Sequence, residues 1–600
     1  MKIGVRCWAL SVLVFGVSVA GAQDRSGVRP EVLSLPDGPG SIEGLGESFE
    51  PSAATGTSSY SVPIALPPGV AGFVPSMALR YSSGGGNGEL GIGWSLGLPM
   101  VQRGTDEGLP FYDDDDRIVL RGMGGRGAED LVRLGDGSYR FRIEGAFARG
   151  RQRADGSWEF RNRSGVAFRF GTTAASTRAN PGEPSEVFSW CLTEQEDTYG
   201  NVIRYEYVSD AGGHPYLERI VWNDFSPSTR NEVVFVREDR PDVITSYLPT
   251  YADRLARRIQ RIDVMHGGDV VRRYELGYDM MLGLSRLTTV HLLGRDLTTD
   301  LPTLTLSYVP FDPSAATVVS MISAPARALG DVTEISDVNG DALPDLLIAD
   351  PGLDGGSWSW VPNLDGVNWG PREVLASSPS VWLASTDVQL ADMDGDGSAD
   401  VVARLTGASD GFRYWSGGTE AGFGPVTTIA PNPSFGFEDP DVRLADLNHD
   451  RLSDWMRIDP TTGDVYVAFN QGGGAFTSAQ LLPRISSSEV VSFSGSGARF
   501  SDMNGDGLPD LVVVRSASLR YWPGRGRGLF GAEVSLAAAP TLSGPELAET
   551  DVRDVNGDGL GDLIHVGVSR VRIWMSQAGP SGGSLVPLMD ITGTPERRPT

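Results

Sequence analysis

Asp502–Asp510 reads DMNGDGLPD, and four other stretches of the chain read almost alike: DVNGDALPD from Asp337, DMDGDGSAD from Asp392, DLNHDRLSD from Asp446 and DVNGDGLGD from Asp554. Successive starts are 55, 54, 56 and 52 residues apart. A near-constant period of this size marks a repeat architecture, in which each unit buries its apolar face against the next. Every acidic stretch leads into a β-rich run (LLIAD, VVARL, WMRID, LVVVR, LIHVG). An aromatic strand follows: Trp358–Pro362, Phe412–Gly417, Val465–Asn470, Leu519–Gly524 and Val571–Met575. Trp369-Gly370, Phe423-Gly424 and Phe530-Gly531 close three of the units. Three or four short strands per unit is the pattern of a β-propeller blade. The repeated aromatics are expected to pack between blades, because buried rings dominate β cores.

Within each acidic stretch the pattern is D-x-[D/N]-x-D-x-x-x-D, so positions 1, 3, 5 and 9 are all oxygen donors. They are Asp337, Asn339, Asp341 and Asp345; Asp392, Asp394, Asp396 and Asp400; Asp446, Asn448, Asp450 and Asp454; Asp502, Asn504, Asp506 and Asp510; Asp554, Asn556, Asp558 and Asp562. Hard oxygen ligands at alternate positions of a tight loop suit Ca²⁺, which takes about 6–8 oxygens. Gly397, Gly507 and Gly559 at position 6 permit a sharp turn. Ala342 and Arg451 stand there in the first and third loops, which are expected to bind more weakly. An EF-hand would need Glu at position 12 and flanking helices. Position 12 is instead Ile348, Ala403, Arg457, Val513 and His565, and the flanks are strands. The plain alternative is an Asx-rich turn that bonds only its own backbone.

The first half lacks a strict repeat. Short β-like runs recur at Ser138–Ile143, Val166–Phe170, Val202–Val208, Val233–Val236 and Val270–Leu276, bounded by turn pairs such as Asp136-Gly137 and Gly200-Asn201. No long stretch has the helical period. The expected fold is all-β: a β-rich domain over residues 23–320, then a propeller of acidic-loop blades over 321–600.

Length and charge narrow the function. Six hundred residues exceed one ordinary domain. A net charge of −27 disfavours nucleic acid and favours cations as ligands. Lys2 and Arg6, the apolar run Cys7–Val19 and Ala20-Gly21-Ala22 make an ordered secretory leader over residues 1–22, with Gln23 as the first mature residue. The 13-residue apolar run is short of the roughly 20 needed to span a bilayer. No later segment is apolar enough to cross one. The expected location is extracellular, with periplasm or cell surface as alternatives. Leader removal would leave Cys191 without an internal disulfide partner.

Catalytic signals fail on context. Gly86–Gly91 matches G-x-G-x-x-G, but Ile92-Gly93-Trp94 follows where a dinucleotide fold needs a helix. Glu194-Gln195-Glu196 matches the E-x-E of ADP-ribosyltransferases, yet it lies in a strand–turn–strand stretch, Trp190–Tyr207, and reads as an exposed strand edge. With five His and no H-E-x-x-H, no nucleophile, base and orienter assemble, and no enzyme is expected.

Ser48–Leu120 carries a long, unusual signature: Tyr60-Ser61-Val62-Pro63-Ile64, then LRYSSGGGNG, GIGWSL from Gly91 and Tyr112-Asp113-Asp114-Asp115-Asp116. It resembles the N-terminal domain of SpvB/TcaC-type virulence proteins, and Trp190–Tyr207 and Leu301–Tyr308 look similar to later parts of it. The acidic units resemble FG-GAP/VCBS repeats, which follow that domain in the B components of insecticidal toxin complexes. The resemblance implies a shell-type segment, a propeller that docks on a pore-forming A component, and a C component that completes a hollow shell. Neither the Rhs-type shell continuation nor the transferase domain of SpvB is among these residues. Three readings follow: a toxin-complex B-like scaffold with A- and C-like partners, an adhesin-like propeller for a cell-surface protein or glycan, and the delivery portion of a longer toxin.

Overall fold

The computed structural model describes residues 48–592 except 53–56, 124–126, 211, 282, 309–321, 324–331, 340, 342, 407–409, 419–421, 568–569 and 580–582. The leader at 1–22, the boundary at 320/321 and Ala342 lie outside the described residues.

Each acidic unit folds as one four-stranded antiparallel sheet whose strands pair in chain order. The fourth unit shows the pattern: Arg499–Ser501, Asp510–Arg515, Ser518–Trp522 and Val534–Leu536. Its acidic loop joins the first strand to the second. Alternation along the second strand sends Leu511 and Val513 to one face and Val512 and Val514 to the other. The first pair packs on Met456, Ile458, Val465 and Val467 of the third unit. The second pair packs on Val552, Leu563 and Trp574 of the fifth. The same face-to-face packing joins the first unit to the second and the second to the third. Trp358, Trp455 and Trp522 are fully buried in these layers. The aromatics expected between blades are therefore core.

The Phe-Gly and Trp-Gly pairs fasten the third strand to the fourth. Gly370, Gly424 and Gly531 N–H groups donate to the carbonyls of Pro362, Ser416 and Pro523. Parallel bridges Ser377–Gly422, Ala430–Ala475 and Ala537–Ser584 then tie one unit to the next.

The described residues of the N-terminal half are also mainly β. A four-stranded sheet (Ser48–Ser52, Thr57–Pro63, Ala78–Ser82, Trp94–Ser95) precedes a 16-stranded antiparallel sheet spanning Met100–Arg103 to Leu304–Thr305. Glu183–Glu196 pairs with both Met100–Arg103 and Ala167–Phe170, so this part of the sheet closes on itself. Trp158, Phe160, Phe170 and Trp190 form an aromatic core there.

Two expectations need correction. Two of the five runs taken as short are parts of long strands: Asn231–Ser246 has 16 residues and Asp269–Met281 has 13. Charges within them pair across the sheet, as Glu238 with Arg258 at 2.7 Å and Asp263 with Arg273 at 2.6 Å. Glu194 and Glu196 are not on an edge either. Their strand has neighbours on both sides, and both carboxylates pair with Arg169.

The glycine-rich signature is a packing device. Gly91, at φ 86, lies so close to the Leu284–Leu293 strand that a Cβ would stand 2.6 Å from the Ser285 carbonyl oxygen. Arg240 and Asp242, both fully buried, bind Asn87, the Gly88 carbonyl and Ser285.

Candidate metal centre in the acidic loops

All five loops share one hydrogen-bond scheme. The position 9 carboxylates, Asp345, Asp400, Asp454, Asp510 and Asp562, are 0% exposed. One oxygen of each accepts the position 2 N–H, from Val338, Met393, Leu447, Met503 and Val555, at 2.8–3.1 Å. The other accepts an N–H at or just past the end of the third strand, from Asn363, Gly417, Asn470, Gly524 and Ser576, at 2.7–2.8 Å. Position 9 thus fastens the loop to the strand beside it. That second donor was not legible in the repeat, because it is a main-chain group on residues of changing type.

Position 1 shapes the turn. Asp392, Asp502 and Asp554 each accept the N–H groups of positions 4 and 6. The position 6 glycines Gly397, Gly507 and Gly559 have φ of 85–88°. Arg451 adopts the same geometry at φ 72 and donates its N–H to Asp446 at 2.8 Å. That is a left-handed conformation which costs a side chain on the order of 1 kcal/mol. Position 5 accepts the position 7 N–H in every loop, from Leu343, Ser398, Leu452, Leu508 and Leu560.

Position 3 separates the loops into two kinds. Asn339, Asn448, Asn504 and Asn556 each donate the side-chain amide to the position 5 carboxylate, Asp341, Asp450, Asp506 and Asp558. This is the self-bonded turn. In the second loop Asp394 replaces the amide. Oxygens of Asp392, Asp394 and Asp400 there lie within 4.8 Å of one another, the one such acidic group among the described residues. Asp396, at position 5, is outside that group. Ser416 Oγ donates to Asp394 at 2.5 Å.

The electrostatics suit a positive guest. Burial pushes Asp400 and Asp562 up to about 7 and Asp454 up to about 8, and Asp510 well above the carboxylate range. Neighbouring loop carboxylates push the same way, while the backbone donors oppose. Burial likewise raises Asp392, Asp450, Asp502 and Asp558. Without a compensating cation, burial favours the protonated form of such groups. An all-oxygen donor set with clustered carboxylates fits a hard divalent ion, and the second loop fits it best.

Outside the loops, Cys191 is half-buried and its thiol is pushed up to about 12 by desolvation, the opposite of a reactive thiolate. No helix among the described residues is long and apolar enough to cross a membrane.

Family models match the two halves separately. Residues 52–223 match the family described as Salmonella virulence plasmid 65kDa B protein, SpvB. Residues 446–513 and 502–565 match the FG-GAP-like repeat. The mono(ADP-ribosyl)transferase SpvB of Salmonella choleraesuis strain SC-B67 is 28% identical over 200 residues, 29% of this chain and 33% of that protein. The SpvB of Salmonella enteritidis is 28% identical over 193 residues, 28% of this chain and 32% of its own length. The matched region is thus about a third of each relative. Among solved structures, the Photorhabdus luminescens Tc holotoxin pore superposes with a TM-score of 0.79 at 23% identity, over 96% of this chain and 30% of that one. The TcdB2–TccC3 crystal structure gives 0.67 at 22% identity, over 94% and 31%. The chain therefore carries an SpvB-type N-terminal region followed by FG-GAP-like repeats, in a fold shared with part of a Tc toxin.

Proposed function

We propose that this chain, an SpvB-type region joined to FG-GAP-like repeats, is a B-like scaffold component of a secreted toxin complex. The carrying observation is that one fold comparison spans both halves in order, 96% of the chain. The repeats act as a Ca²⁺-stiffened propeller that docks on partner proteins, an A-like pore and a C-like component. The SpvB-type region contributes wall. The role is structural: the E-x-E of the sequence is spent on Arg169. The position 1, 3, 5 and 9 side chains supply the oxygens that would hold the ion, and in the second loop those already gathered are Asp392, Asp394 and Asp400. Bound there, Ca²⁺ supplies positive charge that lets the clustered carboxylates ionise together. Rigid loops lose less entropy on docking.

Capture experiments with the full chain test the assignment. A co-encoded A-like protein is expected to be retained saturably, while a glycan array run beside it stays blank. Binding confined to the array would replace the scaffold reading with an adhesin.

A further inference from the structure

Two segments of the N-terminal half lie on the acidic loops. One is the stretch 104–116, which contains part of the sequence signature. The other is 247–251, between the long strands Asn231–Ser246 and Asp253–His266. Leu109 N–H donates to the Asn448 carbonyl of the third loop at 3.0 Å. Tyr247 N–H donates to Asp506 Oδ2 of the fourth loop at 2.6 Å. Arg527, in the fourth unit, donates to the carbonyls of Leu109 and Pro110. Its guanidinium also sits 3.8 Å from the centroid of the Phe111 ring.

The first segment is prefolded for this contact. Asp116 accepts the N–H groups of Phe111 and Tyr112 at 2.8 and 2.7 Å and pairs with Arg103 at 2.5 Å. Tyr112 then binds the second segment through its hydroxyl, which donates to the Pro249 carbonyl. The two segments form one piece. The first segment also closes on the third loop at Gly108, where a Cβ would stand 3.7 Å from Asp450 Cβ.

We propose that 104–116 and 247–251 form a clasp over the third and fourth loops, and that a divalent cation in the fourth loop and closure of the clasp favour each other through Asp506. This rests on the cation reading above. Asp506 is the position 5 donor of its loop, and the same carboxylate receives Tyr247 N–H. It is 8% exposed, so little water competes for it. Tyr247 N–H holds this carboxylate in one orientation when the clasp is closed, so less freedom is lost when an ion takes it up. Linkage is reciprocal: whatever the ion adds to clasp closure, closure adds to ion affinity.

Hydrogen exchange on the full chain tests this, in Ca²⁺ and in chelator, with bound Ca²⁺ counted on the same samples. Chelation should speed exchange across 105–112 and 245–251 by about fivefold or more. Asp506→Asn should exchange that fast even with Ca²⁺ present. Asp558→Asn, the matching change in the fifth loop, should leave 245–251 as in wild type. Protection across 158–170 serves as the folding control for both variants. Ca²⁺ uptake with unchanged exchange in both segments would overturn the clasp and leave the metal reading standing. Absence of uptake would overturn both, and the bound-ion count separates the two failures.

Discussion

Asp510→Ala is expected to destabilise the repeats by about 3–5 kcal/mol, because it strands two buried donors at roughly 1–3 kcal/mol each and leaves a void. Met503 N–H and Gly524 N–H point at the fully buried Asp510 at 2.9 and 2.7 Å. Asp510→Asn keeps the shape but retains one acceptor oxygen, so about half of that loss is expected. Denaturant titration followed by tryptophan fluorescence reports the effect, since Trp522 and Trp574 lie in the layers on either side of the fourth sheet. A loss below about 1 kcal/mol for the alanine variant would mean that position 9 does not fasten these loops.

Acidity should act in an unusual direction when cations are removed. The position 9 carboxyls and Asp506 are raised in the folded chain, to about 7 or 8 where the value is defined. In the unfolded chain they titrate near 3.8. Between those limits the folded state binds more protons, so its stability falls as pH rises. Their contribution is complete below about pH 4 and lost by about pH 8. Groups such as Asp459 work oppositely. The N–H groups of Thr462 and Thr461 hold it at about 2, and its contribution is lost only in stronger acid. In chelator, the melting temperature is therefore expected to drop by several degrees from pH 5 to pH 8. Saturating Ca²⁺ should flatten that slope, because the ion takes the place of the protons. A melting temperature that rises from pH 5 to pH 8 in chelator would contradict the raised carboxyls.

The repeat was legible because its spacing, its acidic loops and its aromatic strands all mark the same boundaries. The burial of Trp358, Trp455 and Trp522 follows from that periodicity. The N-terminal strands were harder. Arg237-Glu238-Asp239-Arg240 looks like a break in Asn231–Ser246, yet the chain continues through it by register shifts and cross-strand ion pairs. Arg240 itself is fully buried against Asp242. The E-x-E looked peripheral for a similar reason: its partner Arg169 is 25 residues from Glu194. Within the loops, the four donor positions were readable, but not that Asn at position 3 bonds to position 5 in four of them. The contacts of the proposed clasp with the loops left no sequence signal, since Tyr247 and Leu109 contribute only backbone N–H groups to them.

On the proposed function, the acidic loops are cation sites which stiffen a stack of docking sheets. Calcium titration of the full chain, by calorimetry with parallel thermal melts, tests it most directly. Uptake at several sites is expected, with a higher melting temperature and with one site lost in Asp392→Ala, since the second loop holds the tightest oxygen cluster. No uptake at millimolar Ca²⁺, together with an unchanged melting temperature, would show the loops to be self-bonded turns and contradict the claim.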